Sequence, residues 1–245
     1  MISVCIATYN GEKYIEEQLI SILSQIADTD EVVICDDCSS DRTISLIENF
    51  ADTRIRLYRN PARLGHVRNF EGAICRARGD YIFLSDQDDV WLPGRVEKMS
   101  DHIAIDSRIL LIASNFDLID ENGLIVGEFR GLKKVKSSRV MQLFAIFAGN
   151  APYFGCTFLL KREALKYCLP IPKNIESHDI WIAMVVSCLG GVANIWQPTL
   201  RHRIHGANVT TKTRRALWVV IKSRFYFMFQ LLVRYLEVKS NKSYF

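Results

Sequence analysis

The chain has 245 residues, of which 49% are hydrophobic and 24% are charged. This length and composition suit one large α/β domain or two small ones, and they exclude a chain too polar to form a core. The net charge of +4 is unevenly divided, because the last 45 residues carry ten Lys or Arg and one acidic residue, a net +9, which leaves −5 for the first 200 residues. A basic tail of this kind suits an anionic partner or a solvated basic helix face.

Local patterns exclude further classes of protein. The chain opens with an apolar strand that follows no basic segment or cleavage site, so we expect no signal peptide. The most apolar stretch, residues 216–236, is interrupted by Lys222, Arg224 and Arg234, and its uncharged runs are shorter than the ~18 residues that a membrane-spanning helix needs. The cysteines lie mostly in apolar segments, which favours reduced, buried thiols over disulfides or a zinc site.

Strands and helices alternate along the first half of the chain. Apolar, β-branched runs predict the strands, and apolar residues at helical spacing, such as Ile15, Leu19 and Ile22, predict the helices between them. In chain order we predict a strand at residues 2–8, a helix within 9–25, a strand at 31–37, a helix within 39–50, a strand at 54–60, a helix at 66–79 and a strand at 80–89. This alternation predicts a mostly parallel sheet covered by helices on both faces.

The second half is more mixed. A helix is predicted from Pro93 to about Ile105, and the segments RILLIASNFDLI and GLIVGEF are predicted to form a hairpin around a D-E-N-G turn. The basic stretch GLKKVKSSR is predicted to be a mobile loop. After it we expect a helix at residues 140–148, a strand at CTFLL, a short helix from Lys161 and a longer helix HDIWIAMVVSCLG.

Polar residues gather where the predicted parallel strands end. The segments TYNG, CDDCSS, RNPARLG and SDQDD follow the strands, and ligands bind at this edge of such sheets. Neither G-x-G-x-x-G nor a P-loop occurs, so a bound diphosphate needs another partner, for which a divalent cation is suited. Asp86 and Asp88, alternate residues of an extended segment, can share one ion while Gln87 faces elsewhere. A solvated acidic turn or the cap of the next helix is the other interpretation.

Longer segments carry a family resemblance. In the first hundred residues, SVCIATYNGEKYIEEQLISILSQ, EVVICDDCSSDRT and LGHVRNFEGAICRARGDYIFLSDQDDVW resemble, in order and spacing, the nucleotide-sugar half of glycosyltransferase family 2, inverting enzymes of GT-A fold. Further on, PYFGCTFLLKREAL, SHDIWIAMVV and RHRIHGANVT resemble its acceptor half, so the resemblance covers about residues 2–210. The SDQDDVW and HD-x-W forms are most similar to rhamnosyltransferases of bacterial surface-polysaccharide pathways.

The resemblance implies an α/β fold of GT-A type, with a Rossmann-like, mostly parallel central sheet flanked by helices. Its domain would span residues 1–210, divided into a nucleotide-sugar half at 1–100 and an acceptor half at 101–210. Residues 211–245 would follow as a basic amphipathic helical tail.

The resemblance also implies roles for single residues in donor binding. The residues placed around the nucleotide base and ribose are Thr8, Tyr9, Asn10, Glu12 and, as an acceptor, Asp36 or Asp37. Capping of the following helix by Asp37, and turn formation by Tyr9 and Asn10, are the structural alternatives.

Further residues are implied at the diphosphate. The resemblance assigns Asp86 and Asp88 to the diphosphate and its metal, Mg²⁺ or Mn²⁺, with Asp88 the more direct ligand. It brings Arg203 and His205 near the diphosphate, where His205 ligates the metal or donates to phosphate; packing or a surface position is the alternative for this histidine.

Two residues beside the D-x-D are predicted to act structurally. Asp89 is predicted to cap the helix after Pro93, since it lies on the alternate face or already at the turn. Trp91 is predicted to pack beneath the donor pocket rather than to contact the base.

Asp179 is implied as the catalytic base. An acceptor hydroxyl that attacks the anomeric carbon must lose its proton as the bond forms, and one carboxylate suffices for this. The family holds the base in an acidic pair, usually Glu-Asp, at a helix start, and the matching dipeptide here is His178-Asp179. A plain N-cap would occupy the same position. His178 either orients the site or merely fills the position of the Glu.

The tail is predicted to be an amphipathic helix. Its polar stripe, with Arg224 outside it, comprises Arg215, Lys222, Ser223, Gln230, Arg234 and Glu237. The remaining surface is apolar and comprises Trp218, Ile221, Phe225, Phe227, Phe229, Leu232 and Leu236. A wide apolar face with basic edges suits a membrane surface, where a lipid-linked acceptor would lie. Packing onto the catalytic domain and formation of a homodimer are the alternatives.

The predicted activity is therefore transfer of a sugar from a nucleoside diphosphate donor, such as dTDP-rhamnose or a UDP-sugar, to a polysaccharide or lipid-linked glycan acceptor. We expect a cytoplasmic protein, peripheral on the inner face of the cell membrane, without a nucleic acid partner. A metal-dependent sugar nucleotidyltransferase is one alternative, although TYNGEKY lacks the glycine-rich basic loop of such enzymes. The other is a non-catalytic sugar-nucleotide binding module, which would not hydrolyse the donor.

Overall fold

A computed structural model describes residues 1–132, 143, 153–206 and 217–241. Its strands are β1 (Ile2–Thr8), β2 (Glu31–Asp36), β3 (Ile55–Arg59), β4 (Tyr81–Ser85), β5 (Val90–Trp91), β6 (Leu111–Ile119), β7 (Ile125–Phe129), β8 (Phe158–Lys161) and β9 (Val192–Arg203). Its α-helices are α1 (Ile15–Leu23), α2 (Thr43–Asn49), α3 (His66–Arg76), α4 (Arg95–Ala104), α5 (Leu165–Cys168), α6 (His178–Leu189) and α7 (Leu217–Asn241). The predicted helix at 140–148, apart from Leu143, and most of the predicted basic loop lie outside the described residues.

The strands form one nine-stranded sheet in the order β3-β2-β1-β4-β8-β6-β9-β5, with β7 paired to β6. β1 to β4 pair in parallel, and their connecting helices are those that the alternation predicted. β8 runs antiparallel to both β4 and β6, whereas β6 and β9 are parallel. The α/β architecture is confirmed, and among the described strands parallel pairing is confined to β1–β4 and to β6 with β9.

Two apolar layers cover the two faces of the sheet. Successive strand residues point to opposite faces, so Val4 and Ile6 join one layer while Cys5 between them joins the other. The first layer contains the buried apolar residues of α1, α2 and α4, and the second contains those of α3, α5, α6 and α7. Each large apolar side chain that is fully buried in these layers stabilises the fold by roughly 1.5–3 kcal/mol.

The sequence pattern did not predict β9, which is the longest strand. Its polar residues and Pro198 weaken the strand pattern, because proline cannot donate to the ladder. At Pro198 the pairing with β6 changes register on both sides of Asn115. The Nδ2 of Asn115 donates to the Trp196 carbonyl at 2.6 Å and bridges the irregularity. The C-terminal end of β9 lies beside β5. β5 directly follows residues 86–89, which we call the acidic loop.

The tail helix α7 packs on the domain along one side. Leu231 is buried there, and the ring centroids of Phe227 and Trp181 of α6 lie 5.7 Å apart. Arg234, predicted in the polar stripe, is directed into the protein and donates to three carbonyl oxygens within Tyr167–Pro170 at 2.7–2.8 Å. Within the described part of the chain, no helix is long and apolar enough to cross a bilayer.

Replacing Arg234 with Leu is expected to lower the free energy of unfolding by roughly 2–4 kcal/mol, because three hydrogen bonds from a charged group are lost and their carbonyls face an apolar side chain. Urea unfolding followed by circular dichroism measures this difference. Lys222→Leu, at an exposed position of the same helix, is the matched control. Equal stability of the two variants would contradict the anchoring role of Arg234.

Candidate active site

The carboxyl ends of β2, β1 and β4 lie side by side at one edge of the sheet. Thr8 at the end of β1 lies opposite Asp36 of β2, and Ile6 lies opposite Ser85 of β4. The polar segments that follow these strands are therefore neighbours, as the sequence predicted.

Gln87 ties the end of β4 to the loop after β1. Its Nε2 donates to the carbonyl of Tyr9 at 3.1 Å, and its Oε1 accepts from the amide of Tyr9 at 2.9 Å. A Cβ at Gly11 would lie 2.5 Å from this Oε1, so a larger residue there would displace the Gln87 side chain. The Cζ of Arg63 lies 3.8 Å from the centroid of the Tyr9 ring. Neither Gln87 nor Arg63 was predicted as a site residue, and the position of Gln87 between two aspartates was the available signal.

Asn10 and Glu12 link the loop after β1 to the loop before α2. Asn10 has a positive φ of 48°, and its Oδ1 accepts from the amide of Ser40 at 2.9 Å. The Oε2 of Glu12 accepts from the amide and from Nε of Arg42, each at 3.1 Å. These contacts match the turn-forming alternative for Asn10, and nucleotide contacts by either residue stay a prediction.

Both aspartates at the end of β2 are buried and bonded to donors within the protein. Asp36 accepts from Oγ1 of Thr8 at 2.9 Å and from the amide of Ser39 at 2.8 Å. Asp37 accepts from the amides of residues 64 and 65 at 2.7 and 2.8 Å, so it fixes the loop before α3. The N-cap residue of α2 is Arg42, not Asp37. Contact of either aspartate with a nucleotide is untested.

The D-x-D segment lies in a loop, not in an extended strand. β4 ends at Ser85, and the chain bends at residues 87–88 before it enters β5. Strand alternation therefore does not apply to Asp86 and Asp88, and their binding of one ion stays a prediction. The side chain of Asp88 turns to His205, whose Nε2 lies 2.8 Å from its Oδ2. The potential ligand atoms that instead gather within 4.8 Å of one another belong to Asp86, Asp89, Cys156 and His202.

The prediction that Asp89 caps α4 is wrong, because the N-cap residue of α4 is Gly94. Asp89 instead pairs with β9. Its Oδ1 lies 2.8 Å from Nδ1 of His202 and accepts from the amide of Arg203 at 3.1 Å. Burial opposes a charge on His202, but the carboxylates of Asp89 and then Asp86 raise the pKa of His202 to about 9. His202 is therefore an imidazolium at neutral pH and compensates part of the negative charge of the loop.

The environment of Asp86 disfavours its charged form. Burial, followed by the charges of Asp89 and Asp88, raises the pKa of Asp86 well above its usual value, and Asp179 adds to the effect. The Oδ2 of Asp89 is buried and has no hydrogen-bond partner among the described residues. Carboxylate oxygens are the ligands that Mg²⁺ and Mn²⁺ prefer. The residues of this loop, with His205 beside them, therefore fit a divalent cation.

Arg203 lies behind the acidic loop and supports it. Its side chain is buried, its Nε donates to the carbonyl of Asp88 at 2.9 Å, and its Nη2 donates to Oε2 of Glu17 at 2.6 Å. Its Cζ lies 4.5 Å from the ring centroid of Tyr14. The guanidinium of Arg203 is surrounded by protein, which favours a positioning role, and its contact with the nucleotide sugar stays a prediction.

Trp91 is a packing residue, and its position beneath a donor pocket stays a prediction. It is buried, with its ring centroid 5.1 Å from that of Phe83 and 4.7 Å from Cζ of Arg95.

Asp179 lies in the first turn of α6. The N-cap is Ser177, whose Oγ accepts from the amide of Ile180 at 3.4 Å. The Oδ1 of Asp179 accepts from the same amide at 2.7 Å, and its Oδ2 accepts from the amide of Gly155 at 3.3 Å. The side chain is partly exposed and close enough to the acidic loop for its charge to act on Asp86.

His178 packs beneath this turn. Its ring is stacked on Phe70 with centroids 4.2 Å apart, and a Cβ at Gly155 would lie 2.7 Å from its Nε2. Both ring nitrogens are buried without a hydrogen-bond partner among the described residues. Burial lowers the pKa of His178 to about 4, although Asp179 opposes this shift. The residue is therefore neutral at pH 7 and fills the position of the usual Glu without its charge.

The chain matches a family model described as "Glycosyl transferase family 2" over residues 3–169. It is 28% identical to the UDP-Glc:alpha-D-GlcNAc-diphosphoundecaprenol beta-1,3-glucosyltransferase WfgD of Escherichia coli, across 76% of this chain and 70% of the relative. It is also 28% identical to the dTDP-rhamnosyl transferase RfbG of Shigella flexneri, across 90% of this chain and 80% of the relative.

Solved structures share the fold. The chain resembles the crystal structure of S. aureus TarS 1–349 in complex with UDP-GlcNAc, with a TM-score of 0.75 and 19% identity over 95% of this chain and 66% of that one. It resembles the mannosyltransferase PcManGT from Pyrobaculum calidifontis, in complex with GDP-Man and Mn²⁺, with a TM-score of 0.61 and 21% identity over 84% of this chain and 57% of that one. The chain thus spans about two thirds of the length of TarS 1–349, and the sheet is of GT-A type.

Stability should fall with acidification in a way that depends on His178. Its pKa is about 4 in the folded protein, below the ordinary value of 6.5, so the unfolded chain binds a proton first as the pH drops. At pH 4 this difference lowers the free energy of unfolding by about 3 kcal/mol. Urea unfolding between pH 7 and pH 4 should show a smaller loss of stability in His178→Leu. The exposed His102→Leu is the control, and parallel pH profiles of wild type and His178→Leu would refute the linkage.

Proposed function

The chain belongs to glycosyltransferase family 2, whose members use nucleotide-sugar donors, and we propose that it is an inverting enzyme in which Asp179 is the catalytic base. The supporting observation is the position of Asp179 at the start of α6, partly exposed and within electrostatic range of Asp86 in the acidic loop. A base and a diphosphate-binding loop must flank the reacting carbon on two sides, and the proximity of Asp179 to Asp86 supports this assignment.

We propose that the donor binds along the edge formed by β2, β1 and β4. The nucleotide would lie against the loops of Thr8, Tyr9, Asn10, Glu12, Asp36 and Asp37. Asp86, Asp88 and His205 would hold Mg²⁺ or Mn²⁺ at the diphosphate, and the cation would offset the charge that develops on the leaving group. Arg203 and His202 act behind them by holding the carbonyl of Asp88 and the carboxylate of Asp89.

The acceptor hydroxyl would transfer its proton to Oδ2 of Asp179 as it attacks the anomeric carbon. Oδ1 remains bonded to the amide of Ile180, which keeps the carboxylate oriented. Oδ2 accepts one long hydrogen bond, from the Gly155 amide at 3.3 Å, so it is the oxygen available for a substrate proton. Neutral His178 beneath the turn adds no competing charge to this base.

The relatives suggest donor and acceptor classes. RfbG is described as a dTDP-rhamnosyl transferase, and WfgD as transferring from UDP-Glc to a diphosphoundecaprenol-linked sugar. We therefore propose dTDP-rhamnose or a UDP-sugar as donor, and a polysaccharide or lipid-linked glycan as acceptor, at the inner face of the cell membrane. The division into a domain at 1–210 and a tail at 211–245 is part of the same proposal. Family membership argues against the nucleotidyltransferase and the non-catalytic module.

Asp179→Asn is expected to lower kcat by at least about a hundredfold while leaving donor affinity nearly unchanged, because the amide cannot accept the hydroxyl proton. Release of nucleoside diphosphate in the presence of acceptor measures kcat, and donor titration measures binding. The exposed Asp101→Asn on α4 is the matched control. Normal turnover in Asp179→Asn would remove this residue from the mechanism.

Chelation by EDTA is expected to stop transfer, and Mg²⁺ or Mn²⁺ should restore it, because the acidic loop cannot otherwise accommodate a diphosphate. His205→Gln should raise the Mn²⁺ concentration needed for half-maximal activity by about tenfold or more, consistent with the loss of a ligand partner. His102→Gln serves as its control. Donor-induced thermal shifts with and without Mn²⁺ test binding separately, and full activity after exhaustive chelation would contradict the metal site.

A further inference from the structure

One side of α7 exposes a large apolar surface. Trp218 and Phe225 are 80% and 73% exposed, and five further residues are between 41% and 61% exposed. We name the set the α7 outer face, and its members are Trp218, Phe225, Met228, Phe229, Leu232, Tyr235 and Leu236. Trp218, Phe225, Phe229, Leu232 and Leu236 follow one another at intervals of seven, four, three and four residues, so they form one stripe of the helix.

Packing against the described part of the domain does not account for this stripe. The opposite side of α7 already contacts α6 and the segment after α5, through Leu231, Phe227 and Arg234. Contiguous exposed apolar surface of this size is rare on monomeric soluble proteins and marks an interaction surface. The aromatic residues in the stripe suit a boundary between an apolar phase and water.

The charges around the α7 outer face favour an anionic lipid surface over a second copy of the chain as the binding partner. Exposed Lys222 lies in the same helix, and Glu237, the single acidic residue after position 200, pairs with Arg234 at 3.2 Å. The helix itself carries four Lys or Arg and one acidic residue, a net charge of +3. Two copies joined through this face would bring like charges together, whereas an anionic lipid surface complements them.

We propose that the α7 outer face docks into the headgroup region of an anionic lipid bilayer, with its aromatic and aliphatic side chains at the acyl boundary. The Oγ of Ser223, on the packed side of α7, lies 3.4 Å from Oε2 of Glu176, three residues before Asp179. Docking therefore holds the turn that carries Asp179 near the membrane, where a lipid-linked hydroxyl can reach it. The last step rests on the proposed function, while the docking itself does not.

The full chain is tested by sedimentation with vesicles of phosphatidylcholine, with and without 30 mol% phosphatidylglycerol. Binding is expected with the anionic vesicles, at least about tenfold weaker with phosphatidylcholine alone, and reduced by salt. The triple variant Trp218→Ser, Phe225→Ser, Phe229→Ser should bind at least about tenfold less. On binding, the emission of the protein should shift to shorter wavelength, and Trp218→Phe should abolish most of this shift.

A matched control removes exposed apolar side chains elsewhere. Leu124, Ile125 and Val126 on the β6–β7 hairpin are 65%, 60% and 59% exposed, and their triple Ser variant should bind vesicles as the wild type does. Absence of binding to anionic vesicles would overturn the proposal, as would loss of binding in the hairpin variant with retention in the α7 variant. A dimer in lipid-free solution that the α7 variant converts to a monomer would assign the face to a second copy instead.

Activity separates this inference from the proposed function. The α7 variant should hydrolyse free donor at the wild-type rate and transfer to a vesicle-embedded lipid-linked acceptor at least about tenfold more slowly. Equal transfer by both proteins would refute the role of docking in acceptor access. A wild-type protein that binds vesicles but processes no donor would leave docking intact and remove the glycosyltransfer proposal.

Discussion

The site depends on the compensation of three neighbouring carboxylates by cationic side chains that arrive from β9. Asp86, Asp88 and Asp89 fall within four residues, and two of them are buried. Leaving buried charges of this density unpaired would cost several kcal/mol each. His202 is held as an imidazolium against Asp89, and Arg203 holds the backbone of the same loop. This compensation joins the two halves of the chain, because β4 and β9 belong to different halves.

The compensation is incomplete, and the uncompensated charge supports the proposed cation site. The pKa of Asp86 stays raised even with His202 charged, so the loop still favours a positive ligand. A divalent cation would add charge of the missing sign, and a diphosphate held by that cation is the ligand that we propose for this loop. The density of carboxylates in SDQDD is thus explained in part by its neighbours within the protein, and the proposed cation would account for the rest.

The tail and the proposed base are mechanically connected. α6 carries Asp179 at its first turn and packs along α7 through Trp181 and Phe227. Arg234 fastens the other part of α7 to the segment after α5. A surface that binds the outer side of α7 therefore sets the orientation of the helix that carries the proposed base. Helices α6 and α7 therefore link the proposed base, the packing of the tail and the proposed access of the acceptor.

The sequence by itself determined the elements that local pattern controls. The strands and helices of the first half, the β6–β7 hairpin and helix α6 follow from residue periodicity, and their alternation made the edge at Thr8, Asp36 and Asp86 predictable. Only the tertiary structure decided which side chains meet there. β9 was not predicted, because its pairing with strands on two sides outweighs its polar composition and Pro198. The partners of Asp88 and Asp89 were not predicted either, because they lie more than a hundred residues away in the chain. Such contacts depend on strand register and loop bends, which no local pattern encodes.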